Sequence, residues 1–245
     1  MPNDVELSLV VPAYNEQEVV AELLRRIEPA LARCGKRFEV IIVDDGSTDA
    51  TTRLLQEAMS TRPWLRVLRM ARNSGQSAAF DAGFKAARGA IIATIDADLQ
   101  NDPEEISRLL PMLDQCDMIT GWRNVRRDSA LRRFQTRIAN RIRNRISREN
   151  IQDSASSLKI YKRHCLEGIG LFTGAHRFMP TLVKMRGYTV LETPVKHSPR
   201  YAGTAKYGLR NRAWRAFIDL LGVRWMKDRA LHYEASELTA DTSHV

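Results

Sequence analysis

The chain has 245 residues, enough for one large α/β domain or a domain with an appendage. Its formal charge is +9, with the excess placed unevenly, and its three cysteines (Cys34, Cys116, Cys165) are too far apart for a zinc or redox motif, which points to a reducing compartment. The acidic, polar start Met1–Glu6 predicts no signal peptide, and no stretch approaches the roughly 20 apolar residues needed to span a bilayer, so the expected chain is soluble or lies on a membrane surface.

Strands and helices alternate to about residue 120. Leu7–Val11 reads as a strand stopped by Pro12, followed by a helix with Asn15 as its cap and Val19, Val20, Leu23, Leu24 and Ile27 at helical spacing. Phe38–Val43 is the second strand, and Thr48 or Asp49 caps the next helix. Leu65–Met70 is the third strand, and Gly75–Ala87 is a small-residue helix suited to close packing on a sheet. Ala90–Ile95 is the fourth strand, Asp102-Pro103-Glu104-Glu105 opens a helix, and Asp117–Thr120 is the fifth strand. This order predicts a doubly wound, mostly parallel sheet with flanking helices.

Two strands end in acids. Glu39-Val40-Ile41-Ile42-Val43 runs into Asp44-Asp45-Gly46-Ser47, and Ala90–Ile95 runs into Asp96-Ala97-Asp98-Leu99-Gln100. Aliphatic runs without alternation belong to strands buried on both faces, whose ligands bind at the carboxyl edge. Both acid pairs are therefore delivered to one rim. Asp96 and Asp98, two residues apart, can converge, and Gln100 adds a carbonyl oxygen. Such a set suits a hard divalent cation, Mg²⁺ or Mn²⁺, on the diphosphate of an activated donor.

Beyond Gly121 the composition changes. Residues 123–148 hold ten arginines, with Phe134, Ile138, Ile142 and Ile146 forming a narrow helical stripe. A second basic amphipathic segment covers about Leu209–Leu231, with Trp214, Phe217, Ile218, Leu221 and Trp225 on one face beside arginines and lysines. This is the pattern of an interfacial helix. The expected organisation is a catalytic domain over 1–208, a membrane-surface helix over 209–231 and a polar tail over 232–245.

The ordered motifs Val10-Val11-Pro12-Ala13-Tyr14-Asn15-Glu16, Val43–Asp49 and Asp96–Gln100 resemble glycosyltransferase family 2, with its GT-A fold. Gly75-Gln76-Ser77-Ala78-Ala79, Gly121-Trp122-Arg123, Asp153–Arg163 and His197-Ser198-Pro199-Arg200 to Lys206-Tyr207 resemble its dolichyl-phosphate mannosyltransferase branch, which includes bacterial enzymes that use undecaprenyl phosphate. The resemblance covers about residues 6–229.

It implies an inverting transfer of a sugar from a nucleoside-diphosphate donor to a polyprenyl phosphate. Pro12, Tyr14, Glu16, Val43, Asp45 and Ala97 would border the nucleotide, and Arg177, Arg200 and Lys206 the donor phosphates. Asp96, Asp98 and Gln100 would form the metal shell. Arg123, with Arg132 or Arg133 and with Thr136, would seat the acceptor phosphate, and Asp153 would stand at the active-site side of the following segment. His197 stands with Arg200 in one motif, while His176 reads as a packing or surface residue. The phosphate nucleophile is already ionised near neutral pH, its second pKa being about 6, so the reaction needs no base. Arginine forks suit such a dianion.

The implied location is the cytoplasmic face of the cell membrane, peripherally attached, with an anionic lipid surface as partner. A homo-oligomer is compatible with this reading. Donor base (uridine or guanosine diphosphate) and sugar stay open. Two rivals remain at this point: a transferase with a saccharide hydroxyl acceptor and Asp153 as general base, and a nucleic-acid-binding module suggested by the basic tract. The second leaves the acidic strand ends unexplained, so nucleic acid is not the expected partner.

Overall fold

A computed structural model describes residues 5–123, 156–196, 198 and 209–231 of the chain. These residues form a mixed α/β fold. The strands are β1 (Leu7–Ala13), β2 (Phe38–Asp44), β3 (Leu65–Arg69), β4 (Ile91–Thr94), β5 (Met118–Arg123), β6 (Lys159–Lys162) and β7 (Val190–Val195). The helices are α1 (Val20–Ala32), α2 (Thr51–Met59), α3 (Gln76–Ala86), α4 (Glu104–Leu109), α5 (Met179–Met185) and α6 (Leu209–Asp228). The strands make one sheet in the order β3-β2-β1-β4-β6-β5-β7. β6 alone among them runs against its neighbours, pairing antiparallel with both β4 and β5.

The alternation of side chains along each strand divides the core between two faces. Leu9, Val11, Val40 and Ile42 face α1, α2 and α4, packing with Leu23, Ile27, Leu55 and Ile106. Val10, Ile41 and Val43 face the other way, packing with Phe80 and Phe84 of α3, Leu182 of α5, and Leu220 and Val223 of α6. Both faces being covered explains why these strands read as unbroken aliphatic runs.

Two local expectations change. β1 continues through Pro12 to Ala13. Val10 O accepts from Ile95 on the β4 side and Ala13 O accepts from Asp45 on the β2 side. By alternation, the nitrogen of Pro12 faces the β4 side, where pairing has already ended at Val10 opposite Thr94, so no ladder bond is lost. Asn15 does not cap α1. It adopts a left-handed backbone (φ 52°), and the helix begins at Val20.

The sequence reading stopped its strands at Thr120, missing β6 and β7. No helix among the described residues is long and apolar enough to cross a membrane.

Candidate active site

The loops after β1 and β2 are stitched together. Asn15 N donates to Ser47 Oγ (2.9 Å), Thr48 N to Asn15 Oδ1 (2.8 Å), and Glu16 N to Thr51 Oγ1 (2.8 Å). Ala50 N donates to Gln17 Oε1 at 3.0 Å. The left-handed turn at Asn15 is what points its amide oxygen into the neighbouring loop, a conformation asparagine tolerates better than most residues. Pro12, Tyr14 and Glu16 are all half-buried along this seam. Asp49 Oδ1 accepts from Thr51 N (2.9 Å), serving one of the unpaired N–H groups at the start of α2.

The two acids that end β2 do different work. Asp44 is fully buried and accepts from Ser47 N at 2.9 Å and from Thr52 Oγ1, closing the turn on itself. Asp45 reaches outward to the next loop. Its two carboxylate oxygens accept from Ser74 N (2.7 Å) and Gly75 N (2.8 Å), just before α3 begins. Gly46 makes the turn after the two acids possible. Its φ is +72°, and a Cβ there would stand 2.5 Å from the carbonyl carbon of Arg72.

The acids after β4 meet the same loop from the other side. Gln76 Nε2 donates to Asp96 Oδ1 at 2.6 Å. Residues 74–76 thus tie Asp45 and Asp96 to one short segment. Asp96 N donates to Ser157 Oγ (3.2 Å), which also accepts from Asn101 Nδ2 (2.7 Å). Thr94 Oγ1 donates to Ser157 O at 2.7 Å. Because β6 is antiparallel, its leading residues arrive at the rim where β4 ends, and Ser157 is placed to brace Asp96. Asp98 is buried; its Oδ1 accepts from Gln100 N at 3.2 Å, around a left-handed Leu99 (φ 58°). Gln100 O in turn accepts from Ser198 N at 2.9 Å, which places Ser198 against the acidic turn.

A third segment closes on α3. Ser77 Oγ lies 2.8 Å from His176 Nδ1 and accepts from Gly174 N at 3.1 Å. This seats the turn Ala175–Arg177, with half-buried Arg177 at its end, beside the start of α3. Helix α6 presses on the same turn: a Cβ at Gly174 would stand 2.6 Å from Asp219 Oδ2.

Residues 8–170 match Glycosyl transferase family 2. The chain belongs to glycosyltransferase family 2. It is 38% identical over 241 residues to the dodecaprenyl-phosphate galacturonate synthase of Rhizobium johnstonii, covering 95% of this chain and 71% of that protein. It is 38% identical over 206 residues to the undecaprenyl-phosphate 4-deoxy-4-formamido-L-arabinose transferase of Edwardsiella ictaluri, covering 83% of this chain and 63% of that protein. The chain therefore spans less than two thirds of the second relative's length.

Among solved structures, a mannosyltransferase from Pyrobaculum calidifontis in complex with GDP-Man and Mn²⁺ superposes with a TM-score of 0.62 at 20% identity, over 94% of this chain and 66% of that one. Glucosyl-3-phosphoglycerate synthase from Mycobacterium tuberculosis, in complex with Mn²⁺, UDP and phosphoglyceric acid, gives 0.66 at 17% identity, over 91% and 78%. At that identity the likeness establishes the fold, the GT-A type expected from the motifs.

Within this family-2 chain the rim gathers Tyr14, Glu16, Asp45, Asp96, Asp98, Gln100 and Arg177 on connected loops. Arg123 ends β5 at the same rim, in register with Val195. The side chains of Val43 and Ala97 are packed in the core at the ends of the strands that deliver the acids. Arg132, Arg133, Thr136, Asp153, His197, Arg200 and Lys206 lie outside the described residues.

Sequence reasoning missed the roles of Gln76, Ser157 and Asn101. The quoted Gly75-Gln76-Ser77 run held the first, but nothing in a single sequence announces a contact to a strand end twenty residues on. His176, read as packing or surface, is half-buried and bonded to Ser77.

The donor chemistry suits a hard cation. Asp96 and Asp98 offer carboxylate oxygens and Gln100 an amide oxygen, the preferred ligands of Mg²⁺ or Mn²⁺. Among the described residues no three His, Cys, Asp or Glu side chains cluster to hold a metal alone. Two acids with an amide would make an incomplete shell, of the kind that substrate phosphates and water complete.

Proposed function

We propose that this family-2 chain transfers a sugar from a nucleoside-diphosphate donor to a polyprenyl phosphate with inversion. The observation that carries the reading is the joining of Asp45 and Asp96 through residues 74–76. A nucleoside end and a diphosphate end are thereby set at a fixed spacing along one rim. The names of the relatives support the lipid phosphate as acceptor, and the arginine-rich tract supplies the chemistry to hold it.

Asp96, Asp98 and Gln100 would hold a divalent cation, which when bound offsets the charge on the departing diphosphate. Tyr14, Glu16 and Asp45 border the nucleoside. Arg177, Arg200 and Lys206 would bind the donor phosphates. Arg123, with Arg132 or Arg133 and Thr136, orients the acceptor phosphate. One of its ionised oxygens attacks the anomeric carbon from the side opposite the diphosphate. The new carbon–oxygen bond forms as the bond to the β-phosphate oxygen breaks, and the diphosphate leaves with the electron pair. No protein base removes a proton, so positioning and electrostatics carry the catalysis.

The reading extends to a membrane surface. Phe217, Ile218, Leu221 and Trp225 of α6 are exposed, while Leu220 and Val223 of the same helix are buried in the core. Arg229 lies over the Trp225 ring, its Cζ 5.2 Å from the centroid. An exposed apolar stripe edged by Arg224, Lys227 and Arg229 suits the headgroup boundary of an anionic bilayer, where the lipid acceptor resides.

The decisive experiment incubates the protein with undecaprenyl phosphate, Mn²⁺ or Mg²⁺ and a panel of uridine and guanosine diphosphate sugars, reading nucleoside diphosphate release and lipid product together. Metal-dependent release matched by glycolipid, and its loss in Asp98→Ala, is the expected result. Release matched by a saccharide product instead would refute the lipid acceptor. No release with any donor would refute the transfer itself.

A further inference from the structure

Gln76 belongs to neither the nucleoside nor the metal set, yet it contacts Asp96 directly, with Nε2 2.6 Å from Oδ1. It is the first residue of α3, and its backbone is clamped on three sides. Before it, Ser74 N and Gly75 N are held by Asp45. After it, Ser77 Oγ meets His176 Nδ1 and Gly174 N. Below it, the helix lies so close to β1 that a Cβ on Gly83 would enter the van der Waals shell of Val10 Cγ1. The constrained backbone gives the Gln76 side chain a fixed origin, from which its amide meets Asp96.

The chemical type matters as much as the position. A carboxylate bonded to a neutral amide keeps its whole negative charge, while the hydrogen bond fixes the plane of the group. Lysine or arginine at the same place would hold Asp96 equally well but would oppose the approach of a cation. A side chain without a donor would remove this hold on the Asp96 carboxylate.

We infer that Gln76 is a positioning residue for the cation–diphosphate site: it presets the Asp96 carboxylate without neutralising it. This rests on the proposed role of Asp96 in holding a divalent cation on the donor diphosphate. Gln76 itself touches no reacting atom.

The test is Mn²⁺ binding in the presence of UDP or GDP, followed by calorimetry or by the Mn²⁺ electron resonance signal, in the parent, Gln76→Leu and Gln76→Lys. Binding of the free nucleoside (uridine or guanosine) and Tm are measured alongside. Both variants are expected to weaken Mn²⁺ binding about tenfold, while nucleoside affinity stays within twofold of the parent. Gln76→Lys is the sharper arm, because a lysine–aspartate pair keeps α3 bridged to β4. Parent-like Mn²⁺ affinity in Gln76→Lys would mean that the bridge is structural only, and would overturn the inference even if Gln76→Leu failed to fold. Loss of nucleoside and Mn²⁺ binding to the same extent in both variants would also overturn it, as a general loosening of the rim. If the parent binds no Mn²⁺ with either nucleotide and Asp98→Ala is indistinguishable from it, the reading of the site fails and the inference with it.

Discussion

Gly83 of α3 lies directly against Val10 of β1, with no room between them for a methyl group. This approach sets the height of α3 above the sheet, and therefore where Ser74–Ser77 stand relative to the strand ends. Gly83→Ala puts two effects in opposition. Alanine favours the helix by about 1 kcal/mol over glycine, and overpacking a well-filled core costs about 1–3 kcal/mol. The overpacking should win, because Val10 is buried and β-branched and cannot swing its methyl aside. Denaturant unfolding is expected to show a net loss of up to about 2 kcal/mol, with a fall in donor turnover; a stabilised variant would contradict the packing argument.

Asp45 takes two backbone N–H groups at once, and asparagine cannot. Asp45→Asn keeps one acceptor and turns an NH₂ toward the other donor. The donors sit on exposed Ser74 and half-buried Gly75, where water can replace the lost partner, so the cost is that of one hydrogen bond, about 0.5–1.5 kcal/mol. Since the same carboxylate fixes the start of α3, the variant should lose nucleotide affinity by roughly tenfold or more in addition to the drop in Tm. Calorimetric titration with UDP and GDP reads the first effect and a thermal melt the second. Unchanged affinity with a lowered Tm would confine Asp45 to a structural role.

Most of the scaffold was legible because buried strands and amphipathic helices write their periods into the sequence. The unbroken aliphatic runs at Val40–Val43 and Ile91–Ile95 gave the strands that deliver the acids, and the one-face spacing from Val19 to Ile27 gave α1. β6 was not legible. Lys159-Ile160-Tyr161-Lys162 is short and carries charge at both ends, and only its burial between β4 and β5 makes it a strand. Pro12 misled because its missing N–H costs nothing where the neighbouring strand has stopped. Within the site, Asp96 and Asp98 announced themselves by their place after a strand. Gln76 and Ser157 did not, since their roles come from contacts across the sheet.

Burial makes the thiols inert. It raises the Cys34 thiol to about 11 and the Cys165 thiol to about 12, and it pushes Cys116 up as well. At pH 7.5 the thiolate fraction at Cys34 is then below about one in a thousand. Iodoacetamide at that pH should leave the folded protein unmodified at all three positions by mass spectrometry, with turnover intact, and should label all three once the chain is unfolded. Labelling of native Cys34 within minutes would contradict the assignment.

Asp117 fastens the far side of the sheet and should make stability depend on acid. Its Oδ2 accepts from Thr189 N (3.0 Å) and Thr189 Oγ1 (2.7 Å), and its Oδ1 faces Lys162 Nζ (3.4 Å) and His164 Nε2 (3.3 Å). The Thr189 N–H, followed by its hydroxyl and then by Lys162, holds the carboxyl at about 2, below its ordinary 3.8. A carboxyl with a depressed folded pKa stabilises the fold fully above the unfolded value, near pH 4, and loses that contribution as the pH falls through about 2. The anchored strand is β7, which runs to Val195 beside Arg123, so the effect reaches the rim. Asp117→Asn should lower Tm by roughly 2–4 °C at pH 7, the scale of about one lost hydrogen bond in a chain of this size. The gap between parent and variant should hold from pH 7 to pH 5 and narrow steadily below pH 4. A gap that widens toward acid would mean that Asp117 is protonated in the folded state, against the geometry of its four partners.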